Sequence, residues 1–356
     1  MLVKWLQIQR QLPLLFIGLV FLVCLLGANI RPDASVHANQ MCLQLSRMKP
    51  GFSCYFLYPE GIPEKAGFFG NLFFGGHSPA SRLIPLASYR ITTEGLEGDV
   101  IAGRNITLHR TFPRKDFSEK NISALIVKKT FWLGTDKFGR DFLSRLMAGS
   151  LVSFSVGFIA VAISLLLGIL LGALAGYLGG TTDAIVSWFL NVTWAIPTLL
   201  LVMAITLLFG KGFWQVFVAV GCSMWVEVAR MVRGQFLSLR EKEYVMAAKL
   251  MGFSHTRIIT RHLLPNAWGP IIVMAASNFA NAILLEAGLS FLGIGAQPPM
   301  ASWGGIIKDH YGYITMDGAY LAVYPGLCIM FLVLSFMLLG NRLRDAGDTK
   351  NSTVTF

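Results

Sequence analysis

Charge is scarce in this sequence. Asp, Glu, Lys and Arg make up 14% of its 356 residues, where an ordinary soluble domain carries about 25%. With 54% of residues hydrophobic and a mean hydropathy of +0.59, a water-soluble globular protein is excluded. Acid is scarcer than base, 19 residues against 30, for a net charge of +11. The basic residues fall between apolar runs. That placement reads as orientation in a membrane and contact with anionic headgroups, not as nucleic-acid binding. The phosphate-cradling Gly-x4-Gly-Lys-Ser/Thr loop is missing, so the chain has no nucleotide site of that kind. No His, Cys, Asp or Glu spacing suits a metal, and no catalytic constellation is present. His77 and His109 stand alone and read as surface residues. The hydropathy pattern does not repeat, which counts against a proton-coupled carrier.

Cysteine is sparse too. Cys24, Cys222 and Cys328 fall inside apolar runs and read as small core residues. Cys42 and Cys54 share the long stretch after the first run. A disulfide is expected there if that stretch lies outside the cytoplasm. Two free thiols are the alternative left open.

Six runs reach the roughly 20 residues that cross a bilayer: Leu12–Ile30, Leu151–Leu178, Ile185–Phe209, Phe213–Val232, Gly269–Gly288 and Ala319–Leu339. Lys4 and Arg10 precede the first, as in a signal peptide. No small-x-small cleavage site follows, so a retained span is expected. Lys4 and Arg10, the cluster Arg230 to Arg261, and Arg342 with Arg344 fall on one side after six crossings. That side is expected to be the cytoplasm. Residues 31–130 then lie outside, as an accessory region of loops and some β structure. A hairpin is predicted within Asp99–Phe112 around Gly103-Arg104-Asn105. Thr135–Met147 is predicted as an amphipathic helix capped by Thr135. Its Asp136–Arg140 and Asp141–Arg145 pairs are spaced i,i+4.

Between the fourth and fifth runs lies Glu243–Asn266, EYVMAAKLMGFSHTRIITRHLLPN. It is long and polar where a short turn would suffice. Good helix formers fill 241–251, Gly252 is placed to end that helix, Ser254 to cap a second, and Pro265 to stop it. Two short helices at an angle result, suited to filling a partner's socket.

The spacing Ala247-Ala248-x-x-x-Gly252 followed by Leu264-Pro265 resembles the loop by which bacterial ABC-importer permeases grip their ATPase. LGTDKFGRDFLSRLMAGS (133–150), EAGLSFLGIGAQPPMASWGGII (286–307) and GAYLAVYPGLCIMFLVLSFMLLGNRLRD (318–345) resemble the second permease subunit of dipeptide, oligopeptide and nickel ABC importers. They stand in that family's order, and the resemblance covers about 131–345. It implies an all-α integral membrane protein with six transmembrane helices. A type I ABC importer permease (MetI-like) core would follow a long extracytoplasmic loop after the first helix. The expected divisions are a cytoplasmic N-terminus and first helix (1–30), the accessory region (31–130), the permease core (131–345) with its coupling loop at 241–266, and a cytoplasmic tail (346–356).

The resemblance further implies a non-catalytic subunit of the bacterial inner membrane with both termini cytoplasmic. Its partners would be a second homologous permease, two ABC ATPases holding ATP and Mg, an extracytoplasmic substrate-binding protein and membrane lipid. No cofactor is expected in this chain. Peptides are the expected cargo, with nickel or another small solute as the alternative. Glu243, Ala247, Ala248, Gly252, Leu264 and Pro265 are the expected ATPase-coupling residues. The family's usual glutamate before the paired alanines is replaced by Met246.

Polar residues inside spans are functional candidates by default. Asn278, Asn281 and Glu286 in the fifth run are candidates for the translocation path, and Asn191 and Trp194 are weaker ones. Glu227 is expected to pair with Arg230. A membrane-anchored sensor built on 31–130 is the rival reading.

Overall fold

The computed structural model describes residues 2–63, 67, 68, 70, 71, 75–80, 82–117, 121–210 and 212–352. Lys211, in the break after the third run, and the last four residues of the expected tail lie outside the described residues. Helix α1 covers Leu2–Leu26. Five strands follow: β1 (Phe52–Leu57), β2 (Ile84–Ile91), β3 (Gly95–Gly103), β4 (Ile106–Pro113) and β5 (Ile126–Phe131). Then come α2 (Phe142–Leu178), α3 (Gly180–Trp194), α4 (Thr198–Phe209), α5 (Phe213–Leu239), α6 (Glu243–Leu250), α7 (His255–Ile258), α8 (Leu264–Phe291), α9 (Trp303–His310) and α10 (Tyr320–Ser352). Among the described residues, five helices are long and apolar enough to cross a membrane, six if a bent pair counts as one.

That pair is α3 and α4, bent by 91°. The third run is therefore two helices broken near Pro197 rather than one continuous helix. Pro197 sits at the bend as the N-cap of α4 with ψ 124°, outside the helical region. The helix ends before the proline because its ring excludes the α conformation there.

The chain forms two compact units. The first comprises residues up to Leu19, Ser153–Gln297, and those from Leu327. Helices α2 and α5 approach closely. Gly168, Gly172 and Gly176 recur every four residues on one face of α2. A Cβ on them would lie 2.9 Å from the Trp225 carbonyl oxygen, 2.5 Å from that of Ala229 and 2.7 Å from that of Arg233 respectively. Glycine is required because backbone meets backbone. Phe279 stacks on Phe336 with centroids 3.9 Å apart and meets Phe154 at 5.2 Å, joining α8 to α10 and α2. Asp183 at the start of α3 forms a two-pronged ion pair with Arg233 of α5, at 2.5 and 2.7 Å.

The second unit comprises Val20–Val152 and Pro298–Gly326. It holds an antiparallel sheet in the order β4-β3-β2-β1-β5, so the expectation of an all-α fold is corrected: the chain is predominantly helical with one five-stranded sheet. The predicted hairpin is there, as β3 and β4 around Asn105 at φ 65°. One apolar cluster gathers Cys42, Leu45, Met48, Cys54, Phe56, Ile101 and Phe131. A second gathers Leu57, Leu86, Leu96, Phe112, Ile122 and Leu125. Cys42 and Cys54 are free thiols rather than the expected bridge. Burial pushes them up to about 11 and about 12, so little thiolate forms near neutral pH.

The helix expected over Thr135–Met147 begins only at Phe142. Residues 135–140 form a turn instead, with Gly139 at φ +70° and its α-carbon against the Cys42 carbonyl. The Asp136 carboxylate accepts from the Phe138 and Arg140 backbone N–H groups at 2.8 and 2.9 Å, and from Arg140 Nε at 2.6 Å. The Asp136–Arg140 pair is therefore real but closes a turn. Thr135 bonds the Leu45 carbonyl and the Met48 N–H and caps nothing. Asp141 caps α2 through the Ser144 N–H at 3.1 Å. Arg145 turns from Asp141 to donate to the His37 and Pro299 carbonyls, each at 2.9 Å.

Replacing Gly172 by Ala is expected to destabilise the chain by roughly 1–3 kcal/mol, the usual cost of overpacking. Gly234 of α5 faces open space, and Gly234→Ala should stabilise by up to about 1 kcal/mol through helix propensity. Thermal unfolding of the two variants in detergent checks the opposite signs.

Candidate functional site

The expected docking loop is a folded element with two distinct faces. Helix α6 starts after Lys242, which sits in an extended conformation. Its end is a Schellman turn. The Phe253 N–H donates to the Ala248 carbonyl at 3.2 Å, and the Gly252 N–H to that of Lys249 at 3.0 Å. The turn needs a residue at positive φ, and Gly252 supplies it at +77°. Ser254 then caps α7, its hydroxyl accepting from the Arg257 N–H at 3.4 Å. Both predicted caps are present. Arg257 lies 4.0 Å above the Phe253 ring, which stacks on His262.

Pro265 does not stop the second helix, contrary to expectation. Ile259–Leu263 widens into a π turn in which the Leu264 N–H reaches back to the Ile259 carbonyl. The chain continues into α8 without a break, as one helical rod over His255–Phe291. The wider turn makes room for a proline ring that would clash in a regular helix. Asn266 Nδ2 occupies the His262 carbonyl at 2.6 Å.

The inner face of the loop is buried in its own subunit. Val245, Ala248, Ile258 and Leu263 form one cluster with Ala173 and Tyr177 of α2, Val228, Val232 and Phe236 of α5, and Ala267 and Ile271 of α8. Ala248 is 1% exposed. Its small size lets α6 lie against its own core, and only Ala247 of the pair faces outward. The outer face carries Glu243, Met246, Ala247, Leu250 and Met251, all exposed. Leu250 is 89% exposed and Met251 64%. Leu250 and Met251 were not among the residues expected to dock. The signal for them was the i+3 and i+4 spacing from Ala247, which puts them on its face. Leu264 is half-buried against the loop cluster and Pro265 is exposed.

The fifth-run candidates separate. Glu286 is fully buried, accepting from Ser153 at 3.1 Å and from Ser290 at 2.6 Å. Asn278 is also fully buried, and neither atom of its amide has a partner among the described residues. Asn281 is half-exposed. Asn278 and Glu286 are enclosed by their own chain, and Asn281 is the accessible one of the three. Arg230 does not form the expected pair with Glu227. It lies 4.3 Å above the Trp194 ring and reaches Asn191 at 3.4 Å.

A family model described as the binding-protein-dependent transport system inner membrane component matches residues 168–350. The dipeptide transport system permease protein DppC of Alkalihalophilus pseudofirmus is 42% identical over 219 residues, 62% of this chain and 72% of that protein. The oligopeptide transport system permease protein OppC of Bacillus subtilis is 35% identical over 241 residues, 67% of this chain and 79% of that protein. The Escherichia coli OppC is 40% identical over 230 residues, 64% of this chain and 76% of that protein. Among solved structures, an inward-facing MetNI methionine ABC transporter aligns at a TM-score of 0.46 and 20% identity, over 57% of this chain and 95% of that one.

The two faces of α6 should respond oppositely to one substitution. Ala248→Leu is expected to cost about 1–3 kcal/mol by overpacking. Ala247→Leu should stay within about 0.5 kcal/mol, as surface changes do. Thermal unfolding of each purified variant in detergent checks the assignment of faces.

Proposed function

This chain belongs to the family of binding-protein-dependent transport system inner membrane components, and on that premise we propose that it is the permease subunit of an ATP-driven importer that moves peptides across the bacterial inner membrane. Peptide cargo is supported by the relatives, which are named for dipeptide and oligopeptide transport. The subunit carries no chemistry of its own. Two ATPase subunits bind ATP and Mg below it, a second permease completes the pore, and a binding protein delivers cargo from outside.

The single observation that carries this reading is the two-faced loop. A helix whose inner face is sealed into three spans, and whose outer face is apolar and exposed, is built to be pushed. ATP binding closes the ATPases and displaces α6. Val245 and Ala248 pass that displacement to α5. The unbroken rod from α7 through the π turn passes it to α8. The permease then opens outward, and peptide moves between the two permeases.

The reading also requires the loop, the α2–α3 turn and the segment after α10 to be cytoplasmic. Six crossings with both ends inside satisfy this when α3 and α4 count as one span. The residues between α1 and α2 and those between α8 and α10 then share the outer side.

Mild-detergent purification of the tagged chain from its own membrane should bring down two ATPases and a second permease. A folded chain that always comes out alone would sink the reading. Leu250→Asp, which disturbs no internal contact, should insert normally yet lower ATPase recovery by roughly tenfold or more, equivalent to about 1.4 kcal/mol. Gly252→Pro should abolish peptide uptake, because proline is locked near φ −65° where the turn requires a positive value.

A further inference from the structure

Tyr177 closes the last turn of α2, and its side chain meets both helices of the loop. Its hydroxyl is hydrogen-bonded to His255 Nδ1 at 3.0 Å, at the first residue of α7. The rings stand edge to face with centroids 5.6 Å apart. Lys249 of α6 holds its ammonium 5.4 Å from the centre of the Tyr177 ring. The ring is buried, at 5% exposure, inside the cluster that anchors the loop. One aromatic side chain therefore grips α6 by its ring face and α7 by its hydroxyl.

The position matters because of what precedes it. Gly176 is the adjacent residue and the last of the three glycines that bring α2 against the α5 backbone. The foot of α2 cannot move without α5. The loop reaches α5 through Val245 and Ala248, and it is covalently continuous with α8. Its apolar contacts to α2 can slide, since dispersion and burial have no preferred direction. The Tyr177–His255 hydrogen bond is directional, and among the described residues it is the polar side-chain contact recorded between α2 and α7.

We propose that Tyr177 is a positioning residue for energy coupling, the link through which loop displacement pulls α2 together with α5 and α8. This rests on the coupling reading of the loop. Tyr177 lies on the inner side, away from Leu250 and Met251, so it holds the loop to its own subunit rather than to the ATPase. Without the hydroxyl, the ATPases still dock and still turn over. The loop then slips against the α2–α5 block, the block follows it incompletely, and hydrolysis is separated from transport.

The test compares peptide uptake with ATP hydrolysis in the assembled transporter reconstituted into vesicles. Tyr177→Phe keeps the ring, its packing and its contact with Lys249, and removes only the hydroxyl. The expected result is unchanged ATPase recovery, ATP hydrolysis at or above the original rate, and peptide moved per ATP reduced roughly two- to tenfold, the span set by one hydrogen bond's net worth. His255→Ala, on an exposed residue, should give the same loss if Tyr177→Phe fails to fold. His255→Asn, whose side chain offers a polar atom near the place of Nδ1, should recover part of it. An unchanged ratio of uptake to hydrolysis in either Tyr177→Phe or His255→Ala overturns the proposal. So does a loss of ATPase recovery, which would make the contact part of docking. If the unsubstituted chain recovers no ATPase, the coupling reading itself fails, and that result is separate from any variant.

Discussion

The close approach of α2 and α5 governs this subunit. Where a Cβ on Gly172 would stand 2.5 Å from the Ala229 carbonyl oxygen, no side chain separates the two helices. In a bilayer, apolar side chains gain little by leaving lipid for each other, so helix pairs depend on dense packing of this kind. Three such contacts one turn apart leave α2 and α5 little freedom to slide or rotate independently. The Asp183–Arg233 ion pair then adds α3 to the same block. A force applied near the end of α5 is thus received by a body of helices.

The loop meets that body on one side and leaves its other side exposed, and its composition reflects the two environments. Val245 and Ala248, three residues apart, face inward; Glu243, Met246, Ala247 and Leu250 face outward. Eight residues are few for a stable helix alone. Its stability comes from the buried face, the Schellman turn at Gly252 and the capped start of α7. Such a short element transmits force because it is held at both ends. The π turn serves the same end. A regular helix would be broken by Pro265, and a broken helix would separate the loop from α8.

Much of this was legible in the residues. Five of the apolar runs coincide with helices long and apolar enough to cross a membrane, and Gly252 and Ser254 announce their turn and cap through chemistry confined to neighbours. Errors arose where the outcome depended on distant partners. Asp136 and Arg140 are spaced as on a helix, yet the same spacing closes a turn once Thr135 binds the segment at Leu45 and Met48. β1 pairs with β5 in the register Phe52↔Phe131, and no local alternation reveals a pairing across so much chain. Pro265 was read as a stop because a widened turn leaves no mark in sequence. The glycine stripe at 168, 172 and 176 does carry a sequence signal, the regular four-residue spacing of small residues. The burial of Asn278 and Glu286 has no mark in the sequence, because polarity within a span is visible there whereas the direction a side chain faces is settled by its neighbours.

Met246 shows how far the departure from the family pattern reaches. It stands where the resemblance noted in the sequence implies a glutamate, and it is half-exposed on the face that Leu250 and Met251 also occupy. The face is thereby an apolar knob with Glu243 at its edge. A carboxylate at 246 would have to be desolvated in a socket and would need a specific donor there. A thioether needs only a cavity of suitable size, and its flexible chain adapts to one. A grip through this face, as proposed above, would be governed by shape and burial and would leave no unpaired charge when the knob moves. The directional contact, the Tyr177–His255 hydrogen bond, lies on the inner face, where the loop meets its own helices.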